Sequence, residues 1–240
     1  MSSKGISRTR VGAIIVAAGE SRRMNGVDKI LTSLGGKPVL AWSIEALQQS
    51  PDIDRIVVVN SQKNLEPVQC LVLDQKWSKV ADVCLGGLRR QDSVAAGLKM
   101  LGNVEWVVIH DGARPLLSQD LIERGLAAAR ETGAAIAAVP VTDTIKLAGD
   151  DQVVIETPPR ANLWSVQTPQ IFRLADIKEA YQQAQGDVTD DAALVEQTGH
   201  KVKLYMGSYD NIKLTNPRDL KIAELLIKEH GQKNSRRSGL

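Results

Sequence analysis

The sequence predicts an α/β fold with a doubly wound, mostly parallel sheet. Short β-branched runs alternate with longer stretches of helical periodicity, the signature of successive βαβ units. The chain has 240 residues, 43% apolar and 24% charged, which suffices for one large core at ordinary globular composition. Loops rich in small residues follow several strand runs, at the carboxyl ends where open α/β sheets bind their ligands.

Val11–Ala17 is the first strand. Pro38–Gln49 follows as a helix, with proline in its first turn, where the missing N–H costs little. Arg55–Asn60, Val80–Leu85, Trp106–His110 and Ala134–Val139 continue as strands, and Asn64–Lys76, Gln91–Leu101 and Gln119–Glu131 are the helices between them. After Val139 the alternation breaks. Thr142–Ala148 and Gln152–Thr157 read as two extended segments around a Gly149-Asp150-Asp151 turn, a β-hairpin leaving the parallel core. An isolated hairpin is marginal in water, so this one is expected to pack against something, most simply a second copy of the chain. A strand at Trp164–Thr168, helices at Leu174–Gln183 and Asp190–Thr198, and a strand at Lys201–Met206 follow. The last helix begins at Pro217 behind Asn216, a good N-cap. The organisation expected is an N-terminal extension over 1–10, one domain over 11–230 with an arm at about 141–163, and a disordered basic tail over 231–240.

Composition narrows the function classes. Lysine and arginine number 30 against 28 acids, and only eight residues are Phe, Trp or Tyr. Neither figure suggests a nucleic-acid partner, which would have to use Arg236, Arg237 and neighbouring lysines. Cys70 and Cys84 lie in apolar stretches without metal-ligand spacing, and three histidines assemble no zinc set. No run of about 18 apolar residues would cross a membrane, and Met1–Arg10 has no signal-peptide core. A cytoplasmic protein is expected.

Three loops carry candidate chemistry. Ala17-Ala18-Gly19-Glu20-Ser21-Arg22-Arg23-Met24, with Lys29 beyond, closes the first strand. Small residues there let backbone N–H groups approach a phosphate, and nearby cations neutralise it; a tight turn with a solvated basic loop reads equally well. Neither G-x-G-x-x-G nor the P-loop pattern is present. The second loop, Gly86-Gly87-Leu88-Arg89-Arg90-Gln91-Asp92-Ser93, permits close backbone approach, and Ser93 suits either a ligand or a helix cap. The third is His110-Asp111-Gly112-Ala113-Arg114-Pro115, where the carboxylate can take a ribose hydroxyl or a divalent metal, or make an Asx-type turn. Asp143-Thr144-Ile145-Lys146, Arg160, Gln167-Thr168-Pro169-Gln170 and Asp210-Asn211-Ile212-Lys213-Leu214-Thr215 complete the set.

In this order and spacing the segments resemble the 2-C-methyl-D-erythritol 4-phosphate cytidylyltransferase family, from Val11 to about Lys228. The resemblance rests on AAG-x-x-RRM with Lys29, GG-x-x-R-x-DS, HD-x-ARP, PV-x-DT-x-K, TPQ and DNIK-x-T. The first loop is common to many sugar nucleotidyltransferases, so the later motifs decide the subfamily. The resemblance implies a nucleotide-diphospho-sugar transferase-like fold with a protruding β-hairpin arm and a homodimer formed through it. The implied activity transfers a cytidylyl group from CTP to the phosphorylated polyol, releasing pyrophosphate, with Mg²⁺ bound mainly by the triphosphate. Carried over by position, Ala17, Ala18 and Gly19 would line the nucleotide pocket, Gly87 and Ser93 would read the cytosine, and Asp111 would hold the ribose or lie near the metal. Arg23 and Lys29 would stabilise charge on the triphosphate. Arg160 and Lys213 would position the attacking phosphate, and Arg114, Thr144 and Thr168 would surround the acceptor, with Thr144 and Arg160 reaching across from the partner's arm. Three positions depart from the family pattern: Glu20-Ser21 where a glycine-rich turn is frequent, Asp28 where proline is common, and Leu88 where an acid is frequent. The competing readings are a ribitol-5-phosphate cytidylyltransferase and a module that binds CTP without turnover.

Overall fold

The structure is a computed structural model that describes residues 9–19, 28–184 and 186–237. Its elements, in chain order, are β1 (Val11–Ala17), β2 (Ser33–Leu34), β3 (Lys37–Pro38), α1 (Val39–Gln49), β4 (Arg55–Asn60), α2 (Leu65–Gln75), β5 (Val80–Leu85), α3 (Arg90–Met100), β6 (Trp106–Asp111), α4 (Gln119–Thr132) and β7 (Ala134–Pro140). Then come β8 (Leu147–Ala148), β9 (Val154–Glu156), β10 (Trp164–Arg173), α5 (Leu174–Gln183), α6 (Asp191–Gln197), β11 (Val202–Met206) and α7 (Pro217–Arg237).

Seven strands form the central sheet in the order β11-β7-β10-β6-β1-β4-β5. β1 pairs in parallel with β4 and β6, β4 with β5, and β11 with β7. β10 runs antiparallel between β6 and β7. Strand side chains alternate between faces, and β1 divides two cores accordingly. Ala13 and Ile15 join the side chains of α1, α2 and α4, whereas Ile14 joins those of α3, α5 and α6. Helices therefore cover both faces, and the central strands are almost wholly buried.

Three elements differ from the sequence expectation. β10 extends to Arg173 rather than stopping at Thr168. A register shift between Val166 and Gln170 absorbs the Thr168-Pro169 step, and the ladder resumes with Ile171 and Phe172 fully buried. In the hairpin, only Leu147–Ala148 and Val154–Glu156 pair. Among the described residues neither strand has a further strand beside it, and Ile145, Leu147, Val153, Val154 and Ile155 stay exposed. The basic tail, expected to be disordered, is helical as far as Arg237. No proline interrupts it, Lys and Arg are good helix formers, and cations suit a helix C-terminus. Cys70, though in an apolar stretch, is exposed; it and Cys84 are free thiols. Among the described residues no helix is long and apolar enough to cross a membrane.

The start of α7 fixes the segment just before it. Asn216 Oδ1 accepts from the N–H groups of Arg218 (2.9 Å) and Asp219 (3.2 Å), as an N-cap should. The Asp219 carboxylate reaches back to accept from Thr215 N (2.6 Å), Thr215 Oγ1 (2.8 Å) and Asn216 N (2.9 Å). Leu214 and Ala223 pack on Leu34 and Val39 in a small third core. Removing the Asp219 carboxylate orphans these donors, so Asp219→Ala is expected to lower stability by about 1–2 kcal/mol, measured as a lower urea midpoint at unchanged m-value.

Candidate active site

The carboxyl ends of β1, β5 and β6 open onto one cleft of about 870 Å³. Register brings them together: Ala17 pairs with Asn60 and Val16 with Asp111, so their following loops leave the sheet at one level. Two hydrogen bonds continue the pattern beyond the strands, Gly86 N to Asn60 O (2.8 Å) and Gly112 N to Val16 O (3.0 Å). Ala17, Ala18, Gly19 and Lys29 line one side of the cleft, Gly87 and Ser93 another, and Asp111 and Lys213 the floor between them.

The glycine loop after β5 needs its glycines. A Cβ on Gly86 would stand 2.5 Å from Ala18 Cβ and 2.6 Å from Ser93 Oγ, and one on Gly87 would stand 2.3 Å from Asp92 Cβ. A side chain at 86 would push this loop away from the first one, and one at 87 would push it off the start of α3. Ser93 is buried; its hydroxyl donates to Arg89 O (3.2 Å) and accepts from Gly87 N (3.2 Å). Ser93 thus fastens the loop and also stands on the cleft wall. On the outside, Arg89 pairs with Asp92 and with Asp187, both at 2.7 Å. Gln91 bonds Gly186 O and Val188 N, each at 3.2 Å.

Asp111 is the electrostatic centre. Its carboxylate is buried, 2.7 Å from Lys213 Nζ, 3.5 Å from Arg90 Nε and 3.9 Å from Arg114 Nε. Burial alone would raise its pKa; the opposing charges of Lys213, Arg90 and Arg114 win, and the carboxyl is held well below the usual range. Arg90 is itself anchored at 2.7 Å to the buried Asp191, whose other oxygen accepts from Tyr181 OH at 2.6 Å. Burial pushes Asp191 up against the pull of Arg90. Burial would lower Arg90, but Asp191 and Asp111 together raise it, so it stays charged.

Behind Asp111 lies a buried polar relay. Asp111 N donates to Thr168 Oγ1 (3.0 Å), which is 3.1 Å from His110 Nδ1, while His110 Nε2 is 3.0 Å from Arg114 O. Burial drives the His110 imidazole down to about 4 despite its bond to the Arg114 carbonyl, so it is neutral near pH 7.

The structure gathers eight of the residues named from sequence onto the cleft: Ala17, Ala18, Gly19, Lys29, Gly87, Ser93, Asp111 and Lys213. Arg114 and Thr168 sit behind this wall, both buried, with Arg114 Nη1 donating to Asn211 O at 2.6 Å. Thr144 and Arg160 belong to the exposed hairpin region and are not among the cleft-lining residues; Arg160 Nη1 donates to Thr142 O at 2.7 Å. Arg23 lies outside the described residues. Sequence reasoning missed Arg90, although it stood in a quoted motif. A cation opening a helix beside a glycine loop was the available signal, and the Asp191 partner that fixes it is about a hundred residues away. Among the described residues no group of three or more His, Cys, Asp or Glu is placed to hold a metal. Among the described residues two carboxylates, Asp28 and Asp111, line the cleft, and Asp28 is engaged with Ile30 N (3.0 Å) and Asn64 Nδ2 (2.7 Å).

Comparison with known proteins gives a consistent result. Residues 11–229 match the family model for 2-C-methyl-D-erythritol 4-phosphate cytidylyltransferase. A protein of that name from Dehalococcoides mccartyi is 51% identical over 220 residues, covering 92% of this chain and 97% of the relative. One from Alkaliphilus oremlandii is 44% identical over 231 residues, covering 94% and 97%. Among solved structures, the 4-diphosphocytidyl-2C-methyl-D-erythritol synthase of Anaerococcus prevotii superposes with a TM-score of 0.82 at 31% identity, covering 92% of this chain and 99% of that one. The cytidylyltransferase of Thermus thermophilus gives 0.75 at 32%, covering 92% and 100%.

The depressed His110 makes stability depend on pH. The unfolded imidazole, near its ordinary 6.5, binds a proton more readily than the folded one near 4. Its contribution is therefore complete above about pH 6.5 and is lost as pH falls toward 4, on the order of 3 kcal/mol in total. Asp111, lowered by its cations, loses its own contribution in a more acidic window. Urea unfolding between pH 7 and 4 should show a steeper fall for the wild type than for His110→Gln; equal slopes would remove His110 as the cause.

Proposed function

The chain belongs to the 2-C-methyl-D-erythritol 4-phosphate cytidylyltransferase family, and from that premise we propose how its residues divide the reaction. The enzyme is a nucleotidyltransferase: CTP gives its cytidylyl group to 2-C-methyl-D-erythritol 4-phosphate, forming 4-diphosphocytidyl-2-C-methyl-D-erythritol and pyrophosphate, a step of non-mevalonate isoprenoid synthesis. An oxygen of the acceptor phosphate attacks the α-phosphorus in line, and the bond to the bridging oxygen of the departing pyrophosphate breaks. The attacking group is already ionised, so no general base is required. The barrier is chiefly electrostatic, because two polyanions meet and negative charge grows at the α-phosphate.

The observation that carries this reading is the surplus of cations around one carboxylate: Lys213, Arg90 and Arg114 about Asp111, with Lys29 and Lys63 also lining the cleft. The glycine loop with Gly87 and Ser93 would take the cytosine, and Ala17, Ala18 and Gly19 the triphosphate backbone. Arg23 and Lys29 would stabilise charge on the triphosphate, and Lys213 would position the attacking phosphate. Arg114, buried behind the cleft wall beside Asp111, would add its positive charge to the field at the acceptor's phosphate. Mg²⁺ fits this donor set, since it keeps several waters and binds through phosphates plus one or two carboxylates. Asp111, not yet committed to a backbone turn by its side chain, would contact it or the ribose. The ion would supply charge neutralisation on the triphosphate when bound.

A homodimer through residues at about 141–163 belongs to the same proposal. The exposed Ile145, Leu147, Val154 and Ile155 support it, since a lone hairpin gains nothing by presenting them to water. Thr144 and Arg160 would then enter the partner's cleft. Cytoplasmic residence is also proposed, supported by the two free thiols.

Lys29→Ala and Lys213→Ala are expected to lower pyrophosphate release from CTP and the acceptor by roughly 10²–10³-fold, by analogy with lost oxyanion donors. Near-normal turnover in folded variants would withdraw the assignments, and the same assay with UTP, ATP and GTP tests base preference. Subunit exchange tests the arm. Mixing Lys213→Ala with Arg160→Ala protein should regenerate about a quarter of the wild-type sites if Arg160 acts across the dimer, because half the dimers are then mixed and each holds one intact site. No recovery after demonstrated exchange would place Arg160 in its own subunit's cleft, and an Arg160→Ala protein that is active by itself would place it outside the reaction.

A further inference from the structure

Besides the glycine loop and the Asp111 floor, the cleft has a rim built from two segments, Asp28–Ile30 and the turn after β4 at Ser61–Asn64. Both belong to one face of the sheet. Ile30 packs with α1 and α2 in the core that holds Ala13 and Ile15, whereas the glycine loop opens α3, whose Val94 and Leu98 lie in the other core. The rim and the glycine loop therefore flank the carboxyl ends of the strands from opposite faces.

The rim is tied across its two segments. Asp28 Oδ2 accepts from Asn64 Nδ2 at 2.7 Å and Oδ1 from Ile30 N at 3.0 Å. Asn64 is buried, and its N–H donates to Ser61 O at 3.1 Å. Lys63 rides on this tied turn. Its Nζ stands 4.0 Å from Asp28 Oδ2, and its side chain is 75% exposed. At that separation the pair is a charge contact and not a hydrogen bond. Among the described residues no hydrogen bond holds the amine, so its donors are available to an arriving anion.

The layout of the cleft selects the anion. With the base at the glycine loop and the α-phosphate near Lys213 on the floor, the outer phosphates extend toward the rim, where Lys29 follows Asp28. We propose that Lys63 is a further cation of the nucleotide site, binding the outer phosphates of CTP that leave as pyrophosphate. This rests on the nucleotidyl-transfer reading of the cleft. Asp28, fixed by Asn64 and Ile30 N, offsets the repulsion between two ammonium groups on one rim. The triphosphate then takes over from that carboxylate as the partner of Lys63.

Lys63 is exposed, so Lys63→Gln leaves the packing intact and reads the charge alone. The substitution is expected to raise KM for CTP and Ki for pyrophosphate by roughly 3–10-fold each, the size of one solvent-exposed charge contact. KM for the polyol phosphate should stay where it is, Lys63→Arg should restore most of the loss, and the effect should shrink as salt is added. Titration calorimetry with magnesium pyrophosphate reads the same contact without turnover. A variant that binds pyrophosphate as the wild type does, a wild type that does not bind it, or an equal rise in KM for the acceptor would overturn the proposal. If the wild type turns over CTP and Lys63→Gln matches it in every constant, the Lys63 contact fails and nucleotidyl transfer stands. Absence of turnover in the wild type would count against nucleotidyl transfer instead, and the pyrophosphate titration would still decide the role of Lys63.

Discussion

The arrangement of this cleft depends on one buried carboxylate and the cations that make its burial tolerable. Taking Asp111 out of water costs several kcal/mol unless opposite charges compensate. The compensation comes from three separate places: Arg90 at the start of α3, Arg114 in the loop after β6, and Lys213 ahead of α7. None of these segments is adjacent to another in the chain, apart from Arg114 and Asp111 themselves. The carboxylate therefore acts as a tie as much as a ligand. Within the cluster the positive charges exceed Asp111 even after Asp191 is set against Arg90, which leaves a potential suited to an arriving polyphosphate.

The sheet order explains why the tie can form. β1 sits between β4 and β6, so its carboxyl end borders the loops of both neighbours, as expected at a switch point of an open α/β sheet. The antiparallel β10 then enters beside β6 and bulges at Gln167–Pro169, beside the end of β6. A regular strand would alternate strictly and keep its ladder through this stretch. The bulge frees the Thr168 hydroxyl and carbonyl for side-chain partners, and Gln167 for Ser208 O (2.9 Å). One irregularity in the sheet thereby serves two loops.

Much of this was legible in the sequence because its causes are local. The runs at Val11–Ala17, Arg55–Asn60 and Val80–Leu85 are bounded by turn and helix signals, and the strands end where those runs end. The helix over Leu174–Gln183 likewise needs only its own residues. Cleft residues such as Gly87 and Asp111 were legible because loops after parallel strands converge. The remainder depends on partners distant in sequence. β10 continues past Pro169 because Ile171 and Phe172 fill a slot between β6 and β7 that no local pattern reveals. Arg90 is held by Asp191, and Thr168 is engaged by His110 and Asp111; a motif records the residue types and not which atoms are already taken.

The departures at Asp28 and Leu88 can be weighed in the same terms. A proline at 28 would restrict the backbone before Lys29 through its ring. Asp28 restricts it by hydrogen bonds instead: its carboxylate accepts from Ile30 N and from Asn64 Nδ2, and its carbonyl accepts from Thr32 Oγ1 at 2.6 Å. The Asn64 bond also spans from this loop to the turn after β4, a link that a proline lacks. Lys29 is thus flanked by a fixed backbone on both counts, and the substitution exchanges covalent restraint for a cross-loop tie. Leu88 is different. Its side chain is fully exposed on the cleft lining, and the neighbouring loop is held by Gly87 N, Ser93 and the Arg89–Asp92 pair without it. The loop's shape therefore does not depend on an acid at 88, and any base recognition that uses only main-chain atoms of this loop is unaffected by the leucine.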